Sequence, residues 1–218
     1  MDSDIARSLL NVVTIVLSVC VHEFAHAFAA FRLGDETAAR QGRLTLNPLA
    51  HADPVGTVLL PALAPFLGFG AFGWGKPVPY IPTNLTRKYS MRAGEAIVAA
   101  AGPFANLVLG VLSAGILVLL STTFHVIELT SAVGVLLQAM VSMNFILLFF
   151  NLLPVPPLDG SKVAAWLFGR KADRALDTVQ GAGMLGLFLA IAVGGFVAVP
   201  LARVLQSWTY QGFLALIA

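Results

Sequence analysis

The chain has 218 residues, of which 58% are hydrophobic and only 11% charged, with a formal net charge of +2. Soluble domains carry about 25% charged residues, so this composition excludes an ordinary soluble enzyme and points to a helical bundle in a membrane. A single cysteine, Cys20, excludes an internal disulfide. The acidic start, Asp2 and Asp4, with no small-residue cleavage site, reads against a cleavable signal peptide.

Residues 8–31 read as the first membrane span, closed by Arg32, Gly34 and Asp35. Inside it lies His22-Glu23-Phe24-Ala25-His26. Residues 36–54 are polar, and the alternation from Gly42 to Pro48 predicts a short strand there. His51 and Asp53 follow, with Asp53-Pro54 as a turn. Residues 55–75 are uncharged but interrupted by Pro61, Pro65, Gly68, Gly70, Gly73 and Gly75, which favours a re-entrant segment over a crossing. From Gly73 to Pro82 the prolines at 77, 79 and 82 forbid a helix and predict an extended edge segment. Arg87, Lys88 and Arg92 suit an interfacial stretch. Residues 96–124 form the second span, with Ala101-Gly102-Pro103-Phe104-Ala105-Asn106 near its start. Residues 129–153 form the third, running into Asn151-Leu152-Leu153-Pro154-Val155-Pro156-Pro157-Leu158-Asp159-Gly160. Residues 178–202 read as a last span that Pro200 ends or kinks, and 203–218 as an interfacial tail with Trp208 and Tyr210.

Basic residues set the orientation. The stretch 32–92 holds seven of the thirteen Lys and Arg, and 160–177 holds four more. The link at 125–128 has none. Both basic stretches are therefore expected in the cytoplasm. His26, Asn106 and Asp159 then fall toward the cytoplasmic side, provided that 55–75 does not cross.

His22 and His26 are four apart, so on a helix both imidazoles share a face and reach one metal ion. Glu23 is one residue round and can face a water on that metal without binding it. Such groups cost ~2.5–3.5 kcal/mol each in hydrocarbon, which a bound cation offsets. A catalytic zinc needs a third protein ligand. Asp159 is the first candidate, because the preceding prolines unwind the end of the third span; the alternative is that Asp159 merely caps the next helix. Glu95 and Glu128 are rivals at span ends. Cys20 is expected to pack as a small apolar residue. His51 and Asp53 read as a turn with a local hydrogen bond, or as a second metal or gate element.

Taken together, His22-Glu23-Phe24-Ala25-His26, Ala-Gly-Pro-x-x-Asn at 101–106 and the run from Asn151 to Gly160 resemble the site-2 protease family of intramembrane metalloproteases. The resemblance covers about residues 8–165. It implies His22, His26 and Asp159 as ligands of one zinc ion, Glu23 as catalytic base and Asn151 as a polar group at the active site. It places 73–82 where the family carries a membrane-associated β-hairpin that holds substrate as an added strand. No PDZ domain interrupts the core and no CBS domain follows it, so the likeness is to the short bacterial group.

The expected fold is therefore an all-α polytopic membrane protein, a three-helix protease core with an additional helix or helices and a short β segment. It forms one peptidase domain over 1–218, with its core at about 8–165 and a C-terminal helix and tail at 178–218. The expected activity is zinc-dependent hydrolysis of peptide bonds in or near the transmembrane segments of other proteins, in a bacterial inner membrane and toward its cytoplasmic side. Catalytic roles go to Glu23 and Asn151, and substrate contacts to Gly75, Lys76, Pro77, Val78 and Asn106. For Asn106 a bond between helices is the competing role. No nucleic-acid partner is expected. Glycines in the last span permit a homo-oligomer without requiring one. A zinc transporter or scaffold is the rival reading, but it would have no use for a base beside a ligand.

Overall fold

A computed structural model describes residues 2–60, 62–63, 74–181 and 183–217. Helix α1 (Asp2–Arg32) carries the first motif. Its end is chemically specified: Gly34 takes φ +101°, Gly34 N–H donates to Phe31 O and Asp35 N–H to Ala30 O. This pair of bonds satisfies the last carbonyls of the helix, and only glycine adopts that φ without strain.

Helix α2 (Met91–Val118) starts on Ser90, whose Oγ accepts from Ala93 N–H at 3.2 Å, and runs on through a π-turn at Leu119–Thr123. Helix α3 (Ala132–Asn151) starts on Ser131 in the same way. These three are the helices long and apolar enough to cross a membrane among the described residues, in agreement with the spans expected at 8–31, 96–124 and 129–153. They pack on one another. Gly110 permits the closest approach of α2 to α3, because a Cβ there would stand 2.7 Å from Phe145 Cδ1. Phe145 is fully buried with Ala114, Val141 and Ala202.

After α3 come α4 (Asp159–Phe168), α5 (Arg170–Gly181) and α6 (Gly183–Ile217). The last differs from expectation. It passes through Pro200 without ending, and 203–217 is its continuation rather than a tail. Proline removes one backbone bond, whereas an apolar setting penalises every unpaired group of an unwound chain. Ala198 and Ala202, on either side of Pro200, are buried, and α6 packs along α3.

The short strand expected at 42–48 is not formed. Helical turns at Thr37–Arg40 and Pro48–His51 flank an irregular link, in which Arg43 is drawn inward to bond Lys76 O at 2.5 Å. The segment 74–81 is extended, as its prolines require, but no strand ladder forms among the described residues. Its backbone is held by loop carbonyls and by side chains. Of the segment expected to be re-entrant, Pro54–Leu59 is a π-turn capped by Asp53, while 61 and 64–73 lie outside the described residues, as does Gly73 of the extended stretch.

Candidate active site

The C-terminal half of α1, the N-terminal half of α2 and the start of α4 meet at one end of the bundle. His22 and His26 stand one turn apart on α1 with Nε2 atoms 2.9 Å from each other. Asp159 Oδ2 lies 3.2 Å from His22 Nε2 and 3.3 Å from His26 Nε2. All three side chains are mostly buried. Among the described residues this is the group of His, Cys, Asp and Glu that could hold a metal.

The other ring nitrogens decide whether it fits zinc. His26 Nδ1 lies 2.8 Å from Val98 O. A carbonyl only accepts, so the proton is on Nδ1 and Nε2 keeps a lone pair. His22 Nδ1 lies 2.6 Å from Asn106 Oδ1, which gives the same tautomer. Two lone pairs and a buried carboxylate oxygen with no hydrogen bond of its own therefore face one another. Such a set is repulsive by itself and matches a divalent cation held by two imidazoles and a carboxylate.

Local sequence explains the convergence. Asp159 is the first residue of α4 rather than its cap, which is Leu158. Gly160 lets the chain fold back against α3, since a Cβ there would overlap Leu152 O and stand 2.3 Å or less from its carbonyl group. Gly102 does the same for α2, where a Cβ would stand 2.6 Å from His26 Cε1 and 2.7 Å from His22 Cε1.

Glu23 faces the extended segment. Its Oε2 accepts from Val78 N–H at 2.9 Å, and a Cβ on Gly75 would come 3.7 Å from its Cγ while overlapping Val19. The segment is braced along its backbone as well. Lys76 N–H donates to His51 O at 2.9 Å, and Trp74 N–H donates to Gly56 O at 3.1 Å. Arg43 Nη2 donates to Lys76 O and, at 3.3 Å, to Pro77 O. At its far end Ile81 N–H donates to Asp35 Oδ2 at 2.8 Å. Burial alone would raise the Asp35 carboxyl, but hydrogen bonds from Thr37, Ile81 and Asn84 outweigh it and hold the group below the usual carboxylate range. Tyr80, in the same segment, is pushed up to about 12 by burial and by the Glu95 and Asp159 carboxylates, so its phenol stays protonated.

The remaining candidate residues make bonds of their own. Asn151 donates from Nδ2 to Leu147 O of its own helix at 3.0 Å, the bond of a helix end. Asn106 is fully buried and bonds a candidate ligand rather than open space. His51 is a buried brace, with Nε2 2.8 Å from Thr45 O, and Asp53 caps Val55 and Gly56. Neither joins the metal group. Glu95 pairs with Lys162 at 3.8 Å, Glu128 accepts from Thr130, and Cys20 donates to Leu46 O. Sequence reading passed over Val98 O, Ser18 and Asn144. For Asn144 a signal existed, an amide in the middle of an uncharged span.

The chain matches the family model described as Peptidase family M50 over residues 10–130 and 125–194. It is 35% identical over 87% of its length to a Bacillus subtilis protein named "Putative zinc metalloprotease YwhC", of which it covers 84%. It is 33% identical over 78% of its length to a protein of Mycolicibacterium smegmatis named "Putative zinc metalloprotease Rip2", of which it covers 61%. A Mycobacterium tuberculosis protein of the same name is 33% identical over 83% of this chain, which covers 67% of that protein. No solved structure matches.

Proposed function

The chain belongs to peptidase family M50 and is an intramembrane zinc metalloprotease, and from that premise we propose that His22, His26 and Asp159 hold the zinc while Glu23 serves as the catalytic base. The observation that carries this assignment is the convergence of His22 Nε2, His26 Nε2 and Asp159 Oδ2 beside Glu23. A zinc ion there supplies Lewis acidity to a water and to a peptide carbonyl. Glu23 takes a proton on its carboxylate and returns it to the departing amine nitrogen. Its bond from Val78 N–H keeps the carboxylate turned toward the extended segment.

The substrates are transmembrane segments of other membrane proteins. A helix hides its peptide bonds in its own hydrogen bonds, so the target must unwind before it is cut. The extended segment 74–81 then receives the unwound piece as an added strand, through the backbone groups that its bracing leaves open. The bracing by His51 O and Arg43 supports this reading, because it keeps the segment extended with Gly75 against α1 next to Glu23. Asn106 acts through His22 and not on substrate. Asn151, whose Nδ2 donates to Leu147 O, takes the remaining catalytic part as a polar group at the active-site end of α3. The whole chain works as one peptidase domain in a bacterial inner membrane. Its active site lies toward the cytoplasm, on the side of the basic stretches. A transporter or scaffold leaves Glu23 without a purpose and is not favoured.

The test pairs wild type with Glu23→Gln in detergent or bilayer, with bound zinc and cleavage of single-span substrates measured for both. The variant keeps its zinc and loses cleavage by on the order of 100-fold or more. A Glu23→Gln protein that still cuts at the wild-type rate would remove Glu23 from the chemistry.

A further inference from the structure

His22 and His26 reach the same tautomer by different routes. For His26 the acceptor is a backbone carbonyl, Val98 O at 2.8 Å, which cannot donate. For His22 it is the side-chain amide of Asn106 at 2.6 Å, which can be turned over. With its NH2 toward the ring, Asn106 would donate to Nδ1 and force the proton onto Nε2, where the metal lone pair belongs. Something must fix which end of Asn106 faces the ring.

Two bonds fix it: Asn106 Nδ2 donates to Asn144 Oδ1 on α3 at 2.7 Å and, at the longer distance of 3.4 Å, to the Ser18 carbonyl on α1, which also only accepts. Asn144 is itself an amide, but its Nδ2 donates to Met140 O at 2.8 Å and to Ser18 Oγ at 2.9 Å. Met140 O is a backbone carbonyl and only accepts. That end of the chain of bonds therefore has one orientation. Asn144 must turn its oxygen to Asn106, and Asn106 must then turn its oxygen to His22. Ser18, Asn106 and Asn144 are all fully buried, so no water substitutes for a lost partner, and a turned amide would leave buried groups unpaired.

We propose that Asn144 is a positioning residue for the metal centre, setting the tautomer of His22 through Asn106 from two side chains away. The inference rests on the reading of His22 as a zinc ligand. It predicts that any residue at 106 that can only accept makes Asn144 dispensable. Asp is such a residue, since either carboxylate oxygen takes the Nδ1–H of His22 and the other accepts from Asn144 once that amide turns over.

The experiment measures metal affinity by competition with a chromophoric chelator, and the absorption spectrum of the cobalt-loaded protein, for wild type, Asn144→Leu, Asn106→Asp and the double variant. Asn144→Leu should weaken metal binding by about tenfold or more, the usual cost of losing support behind a ligand. In the Asn106→Asp background the same Asn144→Leu change should alter affinity by less than about threefold, because its partner no longer needs orienting. The cobalt spectrum should change in Asn144→Leu and match Asn106→Asp in the double variant. Unchanged affinity in Asn144→Leu, or an equal loss in both backgrounds, would overturn the proposal, the second result marking a packing effect only. Asn144→Ala replaces Asn144→Leu if the leucine variant does not fold. A wild-type protein that binds no metal would instead overturn the ligand reading on which the inference stands.

Discussion

An alanine at position 102 would put its methyl carbon within 2.7 Å of His22 Cε1 and closer still to the His26 ring. Both rings would have to move, and with them the geometry of the site. Gly102→Ala should weaken zinc affinity by on the order of 10–100-fold while leaving the three spans intact, which zinc content per chain and helical circular dichroism will show. The two histidines and Asp159 were legible in the sequence because their chemistry is scarce in so apolar a chain. Gly102 was legible only as part of Ala-Gly-Pro-x-x-Asn at 101–106, since a missing side chain announces a close neighbour but not which one. Asn106 was visible as a polar residue, but its partner was not. Hydrogen bonds across 84 positions, as from His22 Nδ1–H to Asn106 Oδ1, depend on how three helices are packed and leave no trace in spacing. Asn151 shows the reverse case, a residue conspicuous in its motif whose bond in the fold is local.

The element that most affects function is the extended segment 74–81. It is held between α1 and the loop that carries Arg43 and His51, without belonging to a sheet. Gly75 lies where a Cβ would overlap Val19 Cγ1 and stand 3.3 Å from His51 O. Gly75→Ala should therefore lift the segment from Glu23 and lower cleavage with zinc content unchanged, and Val19→Ala in the same chain should recover part of the loss; cleavage kinetics with zinc analysis separate the two effects. The far end is tied by Asp35, which accepts from Ile81, Thr37 and Asn84. Because these bonds depress its folded-state carboxyl, Asp35 contributes stability that is whole above the ordinary carboxylate range and is lost as pH falls from that range through the lower folded-state value. Asp35→Asn should cost about 1–3 kcal/mol near neutrality and flatten the acid limb of the stability curve, as thermal unfolding in detergent across pH will reveal. Proline told the sequence reader that this segment is extended. It could not tell that side chains and loop carbonyls, rather than a partner strand, would satisfy its backbone.

Across the whole molecule, the site sits at the end of the bundle where α1 ends, α2 begins and the turn after α3 leads into α4. The basic stretches 32–92 and 160–177 lie in sequence at that same end. The orientation argument therefore makes a direct prediction in cells. With Cys20 replaced by Ser, a cysteine at Lys171 should resist a membrane-impermeant maleimide from outside and react in inverted vesicles, and one at Thr130 should do the opposite. Helix α6 decides between the two readings of Pro200, an end or a kink, against an end: the helix runs from Gly183 to Ile217, because an apolar surrounding makes unwinding costlier than one missing bond.

The most direct measurement is zinc X-ray absorption on the protein as purified, for wild type and Asp159→Asn. A centre built from His22, His26 and Asp159 predicts two imidazoles with the remaining neighbours oxygen, and a marked loss of zinc in the variant. A sulfur neighbour, which only Cys20 or a methionine could supply, or a third imidazole from His51 or His125, would contradict it.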